Sequence, residues 1–248
     1  MFIKYSTEQR LLAFMEEGKM FFNPAQKFRE IEEKQLIKGQ GDRYDSGLHS
    51  MANTVVTKLP DGRKAVAHDI EVSLLMSPAR YTPIFCLKRP KNEYITKKYY
   101  YELKSQFPDY THAIIIDDEK EFLENIRFSM ISKAFAHKVF YQDNYFLDFI
   151  DFMYSGISDI RFYPIKKKRH SYYAHILVEN NSGKIERDFW IDSSNYFKTM
   201  FRKDIFFQNQ NEYRIVLPHE RIKEGRSFQI KPFRAQIAAI DRLIKEKV

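Results

Sequence analysis

Polar and apolar side chains alternate in the stretch FFQNQNEYRIVLP, residues 206–218. After four polar residues at 208–211, the apolar positions recur at every second residue, at Tyr213, Ile215 and Leu217. A period of two predicts a half-buried strand. Glu212 and Arg214 then lie side by side on the opposite, exposed face, where they form either a well-positioned site or an ion pair without a function.

Similar strand patterns predict two β-hairpins elsewhere in the chain. Residues 51–59 and 63–75 flank the turn PDG, and residues 172–178 and 184–191 flank the turn NSG. The glycine in such a turn supplies the positive φ angle that it needs. Residues 112–116 form a short, continuous apolar run, which is typical of a central strand.

A helical period appears in two further segments. The first begins at Asp118, which fits a capping box with Glu121, and repeats apolar side chains every four residues, at Phe122, Ile126 and Met130. The second covers residues 234–247 and places three isoleucines on one face, Ile237, Ile240 and Ile244. Strands and helices together predict a single α+β domain over residues 1–248, with mostly antiparallel sheets and flanking helices.

The composition is that of an ordinary globular protein. The 248 residues are enough to bury a substantial core, and 8 Gly and 9 Pro are too few for a low-complexity chain. We find no apolar run of the length of a membrane span and no signal peptide. The single cysteine, Cys86, lies in the apolar run PIFCL and is expected to be a small buried hydrophobe rather than a nucleophile. These features predict a cytoplasmic protein.

The positive charge is concentrated in one place. A net charge of +8 permits binding to nucleic acid but does not require it. The concentration is the basic run Lys166-Lys167-Lys168-Arg169, which is followed by Tyr172 and Tyr173. Cations neutralise phosphates and aromatic rings stack on bases, so this stretch is typical of a nucleic-acid-binding surface. A charged hairpin or a solvated loop explains the same residues equally well.

Acidic and guanidinium side chains form a second candidate group. Arg29 and Glu32 lie three residues apart on one face of a predicted helix. The glycine-rich loop KGQGDRYDSG, residues 38–47, adds three more acidic or guanidinium side chains, Asp42, Arg43 and Asp45. If the loop folds over the strand of Glu212, the group binds a phosphate or a nucleotide through arginine, with a carboxylate as base or electrostatic stabiliser. The alternative is a structural salt-bridge network that fixes the loop.

Several motifs occur in a familiar order along the chain. They are an F-R-x-x-E helix, a G-D-x-Y-[DE]-x-G loop, IFCL at 84–87, HAIIIDDEKEFLENI from His112, and QNEYRIV at 210–216. In this order they resemble a family of uncharacterised proteins often encoded by phages and prophages, although Asp45 stands where we expect Glu. The resemblance implies a phage or mobile-element origin and supplies no chemistry. It is carried by Phe28, Arg29, Glu32, Gly41, Asp42, Tyr44, Gly47, Glu212 and Arg214.

A looser likeness connects the chain with the ADP-ribosyltransferases. An early strand and helix, a largely β middle, and a late strand that carries Glu before I-V-L-P resemble that architecture. The likeness implies NAD as cofactor and Glu212 as the catalytic glutamate, which stabilises the cationic transition state. Two departures weaken it, because the first strand offers only Lys4 and Tyr5 where Arg or His is usual, and the Ser-Thr-Ser type motif is missing.

Residue spacing excludes several other enzyme classes. The seven histidines show neither H-x-x-x-H nor H-E-x-x-H spacing, and one cysteine makes no zinc pattern, so we expect no metal site. The segment GQGD lacks the context and the Lys-Ser/Thr ending of a P-loop, and no G-x-S-x-G occurs. P-loop NTPases, Rossmann enzymes and serine hydrolases are therefore excluded.

These observations favour a binding protein. The working hypothesis is a phage- or prophage-encoded accessory protein that acts in bacterium–phage conflict, as defence or counter-defence, in the cytoplasm of the bacterial host. It binds a host or phage protein, nucleic acid or a nucleotide, needs no cofactor and has no membrane partner. The alternative is the ADP-ribosyltransferase-like enzyme that uses Glu212 and NAD.

Overall fold

The structure, a computed structural model, describes residues 1–35, 46–58, 61–74, 77–130, 133–142, 171–180 and 183–245. The strands are numbered in chain order: β1 (Phe2–Ser6), β2 (Lys19–Pro24), β3 (Leu48–Lys58), β4 (Lys64–Leu74), β5 (Pro83–Lys88), β6 (His112–Ile116), β7 (Phe135–Lys138), β8 (Phe140–Gln142), β9 (Ser171–Asn180), β10 (Gly183–Asp192), β11 (Arg202–Asp204), β12 (Glu212–Val216), β13 (Arg226–Gln229) and β14 (Gln236–Ala239). The α-helices are α1 (Glu8–Glu16), α2 (Ala25–Gln35), α3 (Lys97–Gln106) and α4 (Glu119–Ser129). The 3₁₀ helices cover Ser77–Tyr81, Ser193–Phe201, Ile205–Gln210 and Ile240–Leu243.

The main sheet branches at β5. One edge of β5 pairs with β12, from Ile84 opposite Val216 to Lys88 opposite Glu212. The other edge is shared by β2 and β1, which continue into β13 on one side and into β6 and β14 on the other. Beyond β12 the sheet ends in β7. All these pairs are antiparallel. Strand β5 is central among the eight strands and its side chains are packed on both faces, which explains its apolar sequence.

The lower face of this sheet packs against α1 and α4. It carries the side chains of Phe2, Phe85 and Tyr213, and the ring centroids of Phe2 and Tyr213 lie 4.6 Å apart. Phe14 of α1 and Phe122 of α4 pack edge-to-face over these rings, with centroids 6.0 Å apart. Burial of such large rings is the main stabilising term on this side of the sheet.

The upper face is covered in two separate places. Near β6, side chains of α3 and of the 3₁₀ helix Ile240–Leu243 pack on Ile3 and Tyr5. Near the other end of β5, the 3₁₀ helix Ser193–Phe201 packs on Ile84 and Val216, together with Phe28 of α2. Residues directly opposite each other in a sheet point to the same side, so Ile3, Lys88 and Glu212 share this upper face.

The two predicted hairpins are confirmed. Strands β3 and β4 pair along their length, as do β9 and β10, and β3 joins β9 to give a second antiparallel sheet in the order β10-β9-β3-β4. A short parallel pair, β8 with β11, stands apart from both sheets. The predicted α+β class, with mostly antiparallel sheets and flanking helices, is confirmed.

The predicted helices have different outcomes. Helix α4 begins after Asp118, whose carboxylate accepts a hydrogen bond from the N–H of Glu121 at 2.8 Å, as the capping pattern predicts. The helix predicted for residues 234–247 is wrong: within the described part of this segment, Gln236–Ala239 forms β14 and Ile240–Leu243 forms a single 3₁₀ turn. Residues 236–239 pair with the open edge of β6, and Ile240 and Leu243 are buried against the upper face of the sheet, so tertiary contacts override the local pattern.

Among the described residues, no helix combines the length and apolar character needed to cross a membrane.

Gly18 ends α1 in a left-handed conformation, with φ at 66°, and lies directly against the carbonyl group of Ile230. We expect Gly18→Ala to destabilise the protein, because a Cβ at this position overlaps the Ile230 oxygen. The matched control is Gly62→Ala, since Gly62 also has a positive φ, at 84°, but no atom within 4 Å of the added Cβ. Urea unfolding should show a loss of about 1–2 kcal/mol for the control, and roughly 1–3 kcal/mol more for Gly18→Ala. Equal losses would contradict the close approach to Ile230.

Candidate functional site

The strand that carries Glu212 and Arg214 is buried on both faces. The prediction that these two side chains lie on an exposed face is wrong: Glu212 is 7% exposed and Arg214 is fully buried. The alternating pattern is real, because Tyr213 and Ile215 face the lower core. The upper face is closed by the 3₁₀ helix Ser193–Phe201, which the pattern of β12 alone does not reveal.

Glu212 is held in a buried ion cluster. The Nε of Arg214 donates to its Oε1 at 2.5 Å, and the Nζ of Lys203 on β11 donates to its Oε2 at 3.0 Å. Arg214 also donates to the carbonyl oxygen of Met200, at 2.6 Å. Burial alone raises the pKa of Glu212, but the attraction of Arg214 and Lys203 outweighs it and holds the pKa far below its usual range. The carboxylate is therefore ionised and engaged at both oxygens.

Two neighbouring groups complete the surroundings of Glu212. Lys4 donates from its Nζ to the carbonyl oxygen of Cys86 at 3.0 Å, and burial lowers the pKa of Lys4. Burial and the nearby carboxylate of Glu212 raise the pKa of the Cys86 thiol. The thiol therefore stays protonated at neutral pH, as expected for a packed side chain rather than for a nucleophile.

The structure describes only part of the predicted acid–guanidinium group. Arg29 and the backbone of Glu32 lie in α2, whose Phe28 packs beneath the 3₁₀ helix Ser193–Phe201. Thr199 of that helix donates to the carbonyl oxygen of Ser46 at 3.0 Å, so the end of the glycine-rich loop reaches the layer that covers Glu212. The remaining members of the group lie outside the described residues, namely Asp42, Arg43 and Asp45.

The predicted nucleic-acid surface is mostly beyond what the structure describes. The run Lys166, Lys167, Lys168 and Arg169 lies outside the described residues. The backbones of Tyr172 and Tyr173 belong to β9, opposite Ile191 and Trp190 of β10. The nucleic-acid role of this stretch stays a prediction.

A cleft opens on the upper face between α3 and the end of the 3₁₀ helix Ile205–Gln210. It has a volume of about 350 Å³. Its walls come from the segment 90–96 after β5, from the first turns of α3, from Asn209 and Asn211 ahead of β12, and from Tyr5 and Lys88 of the sheet. Lys88 is the direct partner of Glu212 in the β5–β12 register, so the cleft begins where the buried ion cluster ends.

Positive charge dominates the lining of the cleft. Lys88, Lys91 and Lys98 contribute ammonium groups, and the acid among the lining residues is Glu102, 3.8 Å from Lys98. The cleft also includes the N-terminus of α3, where Thr96 accepts a hydrogen bond from the N–H of Tyr99 at 3.1 Å. A helix N-terminus carries partial positive charge, so it adds to the attraction for an anion.

The inner wall of the cleft contains two perturbed groups. The Nζ of Lys88 lies 3.3 Å from the centroid of the Tyr99 ring, and burial lowers the pKa of Lys88 to about 8 in spite of the opposing charge of Glu102. Tyr5 is 7% exposed, and its hydroxyl has no hydrogen-bond partner among the described residues. Perturbed and unsatisfied groups in a cleft are typical of a ligand site.

Sequence reasoning missed this cleft, because its residues come from three separate segments of the chain, at residue 5, residues 88–102 and residues 209–211. The sequence features that belong to the cleft are the basic segment KRPKN at 88–92, the threonine that caps α3, and the asparagines within the polar residues 208–211. Each is an ordinary loop feature by itself. Only the sheet register brings them together.

Comparison with known proteins adds no further assignment: no protein-family model, curated protein or solved structure matches the chain. Among the described residues, no three His, Cys, Asp or Glu side chains are grouped so that they could hold a metal ion. The argument for a function therefore depends on the geometry of the cleft and of the buried ion cluster.

Arg214→Met tests the structural role of the ion cluster. This change leaves Glu212 buried beside one cation, and removal of one partner of a buried pair costs about 3–5 kcal/mol. The control is Arg89→Met, which removes a bidentate pair with Glu119 in which Arg89 is 49% exposed; its loss should stay below about 1 kcal/mol. Urea unfolding measures both, and a loss for Arg214→Met as small as that of the control would show that the cluster does not hold β12 in place.

Proposed function

We propose that the protein binds a small phosphorylated ligand in the cleft beside α3. The observation that carries this proposal is the convergence of three lysines and a helix N-terminus on one concave site of ligand size. Lys88 is supplied by the rigid sheet and Lys98 by the first turn of α3, so the charges do not depend on a loop alone. The sequence also favours a binding protein, but the proposed site is the cleft rather than the basic run or the acid–guanidinium group.

A catalytic role for Glu212 is less well supported by this geometry. Both of its oxygens are engaged by Arg214 and Lys203, whereas a glutamate that stabilises a cationic transition state needs an oxygen that faces the substrate. The residues fit a structural ion cluster better than a site for NAD. The phage setting and the role in bacterium–phage conflict come from the resemblance and stay predictions.

Removal of two cleft lysines should weaken ligand binding without unfolding the protein. Lys91 and Lys98 are exposed, so we expect Lys91→Ala/Lys98→Ala to fold normally and to bind ribose 5-phosphate about tenfold more weakly, as the loss of two exposed ion pairs would give. The control is Lys120→Ala/Lys223→Ala, which removes the same charge from exposed positions outside the cleft wall. Isothermal titration calorimetry measures each affinity. Equal weakening by both double variants would mean that only overall charge matters, and an absence of binding by the unchanged protein would refute the proposal.

Ligand binding should also weaken as the pH rises through about 8. Lys88 has a pKa of about 8 in the free protein, so at pH 7 its ammonium is charged and attracts the phosphate, and at pH 9.5 it is neutral. The phosphate itself remains a dianion over this interval. Burial raises the pKa of Tyr5 and of Tyr99, so neither phenol titrates there. We expect calorimetry to show several-fold weaker binding of ribose 5-phosphate at pH 9.5 than at pH 7. Most of that change should disappear in Lys88→Met, which keeps an unbranched apolar side chain over the Tyr99 ring.

A further inference from the structure

Tyr94 places an exposed aromatic ring on a fixed segment of the cleft wall. It is 47% exposed. Its N–H donates to the side-chain oxygen of Asn92 at 3.1 Å, and the N–H of Ile95 donates to the carbonyl oxygen of Leu243 at 2.9 Å. Lys245 donates its N–H back to the carbonyl oxygen of Ile95 at 3.1 Å. The ring is therefore presented by a tethered backbone, which lowers the entropy cost of packing a ligand against it.

The other two tyrosines of the cleft are less suited to stack on a ligand. The ring of Tyr99 already carries the ammonium of Lys88, 3.3 Å from its centroid, and Tyr5 is buried in the floor. Tyr94 has a cation at a longer distance, since the Nζ of Lys245 lies 5.2 Å from its centroid. Of the three rings, Tyr94 has the most accessible surface for a flat partner.

The rest of the cleft has the size and the polar groups that such a ligand needs. A volume of about 350 Å³ lies within the range of small-molecule sites, roughly 300–1,000 Å³. Asn92, Asn209 and Asn211 are among its lining residues, and an asparagine amide both donates and accepts hydrogen bonds, as the edge of a nucleobase requires. A sugar phosphate alone would leave the aromatic end of the cleft unused.

We propose that the phosphorylated ligand is a nucleoside 5′-monophosphate, with its base stacked on Tyr94 and its phosphate held by Lys88, Lys91 and Lys98. This inference rests on the proposed function and adds the identity of the second half of the ligand. Stacking of a base on an aromatic side chain is tolerant of base identity, because every base has a flat π face. The base preference is then set by the asparagine amides.

The test compares five probes, AMP, GMP, CMP, UMP and ribose 5-phosphate, by calorimetry on the full chain. At least one nucleotide should bind about tenfold or more tightly than ribose 5-phosphate. Tyr94→Ala should remove that advantage and leave the affinity for ribose 5-phosphate unchanged, and Tyr94→Phe should retain it. The control is Tyr101→Ala, because Tyr101 is 67% exposed on α3 and is not part of the cleft wall.

The outcomes separate this inference from the proposed function. If ribose 5-phosphate binds as tightly as every nucleotide and Tyr94→Ala changes nothing, the cleft is a phosphate site without a base subsite, and the inference is overturned alone. If neither ribose 5-phosphate nor any nucleotide binds, both fail. An equal loss of nucleotide affinity in Tyr101→Ala would also overturn the inference, since the effect would then come from α3 in general.

Discussion

Glu212 is a carboxylate almost entirely withdrawn from water, and the central part of the structure depends on the cations that compensate it. Arg214 reaches it along β12, and Lys203 reaches it from β11. Because Arg214 also binds the carbonyl oxygen of Met200, the cluster joins the sheet to the 3₁₀ helix above it. A buried charge that lost these partners would have to take up a proton or admit water, and either change would separate the two layers.

Features set by neighbouring residues could be predicted from the sequence. The hairpins follow from alternation around turns that contain glycine, and the start of α4 follows from a carboxylate three residues before a free N–H. The α+β class follows because these elements mix long antiparallel pairs with amphipathic helices. In the hairpins the pairing extends outward from the turn that predicts it, and in α4 the capping contact joins residues three apart.

Features set by distant residues could not be predicted. The polar side chains of β12 indicate solvent when they are taken alone, but the 3₁₀ helix Ser193–Phe201 covers them, and Lys203 places a second cation beside Glu212. The isoleucines at 237, 240 and 244 have a helical spacing, yet the open edge of β6 takes the first part of this segment as a strand. The cleft needs the register of β5 with β1 and β12 before its lysines and asparagines become neighbours.

The ion cluster on the upper face of the sheet also affects the cleft next to it. Arg214 and Lys203 are two cations beside the single carboxylate of Glu212, so these three side chains together have a net charge of +1. Dissolved ions screen charges in the protein interior much less than charges at the surface. The trio therefore places one net positive charge on the strand next to Lys88, where salt screens it less than it screens the exposed lysines of the cleft.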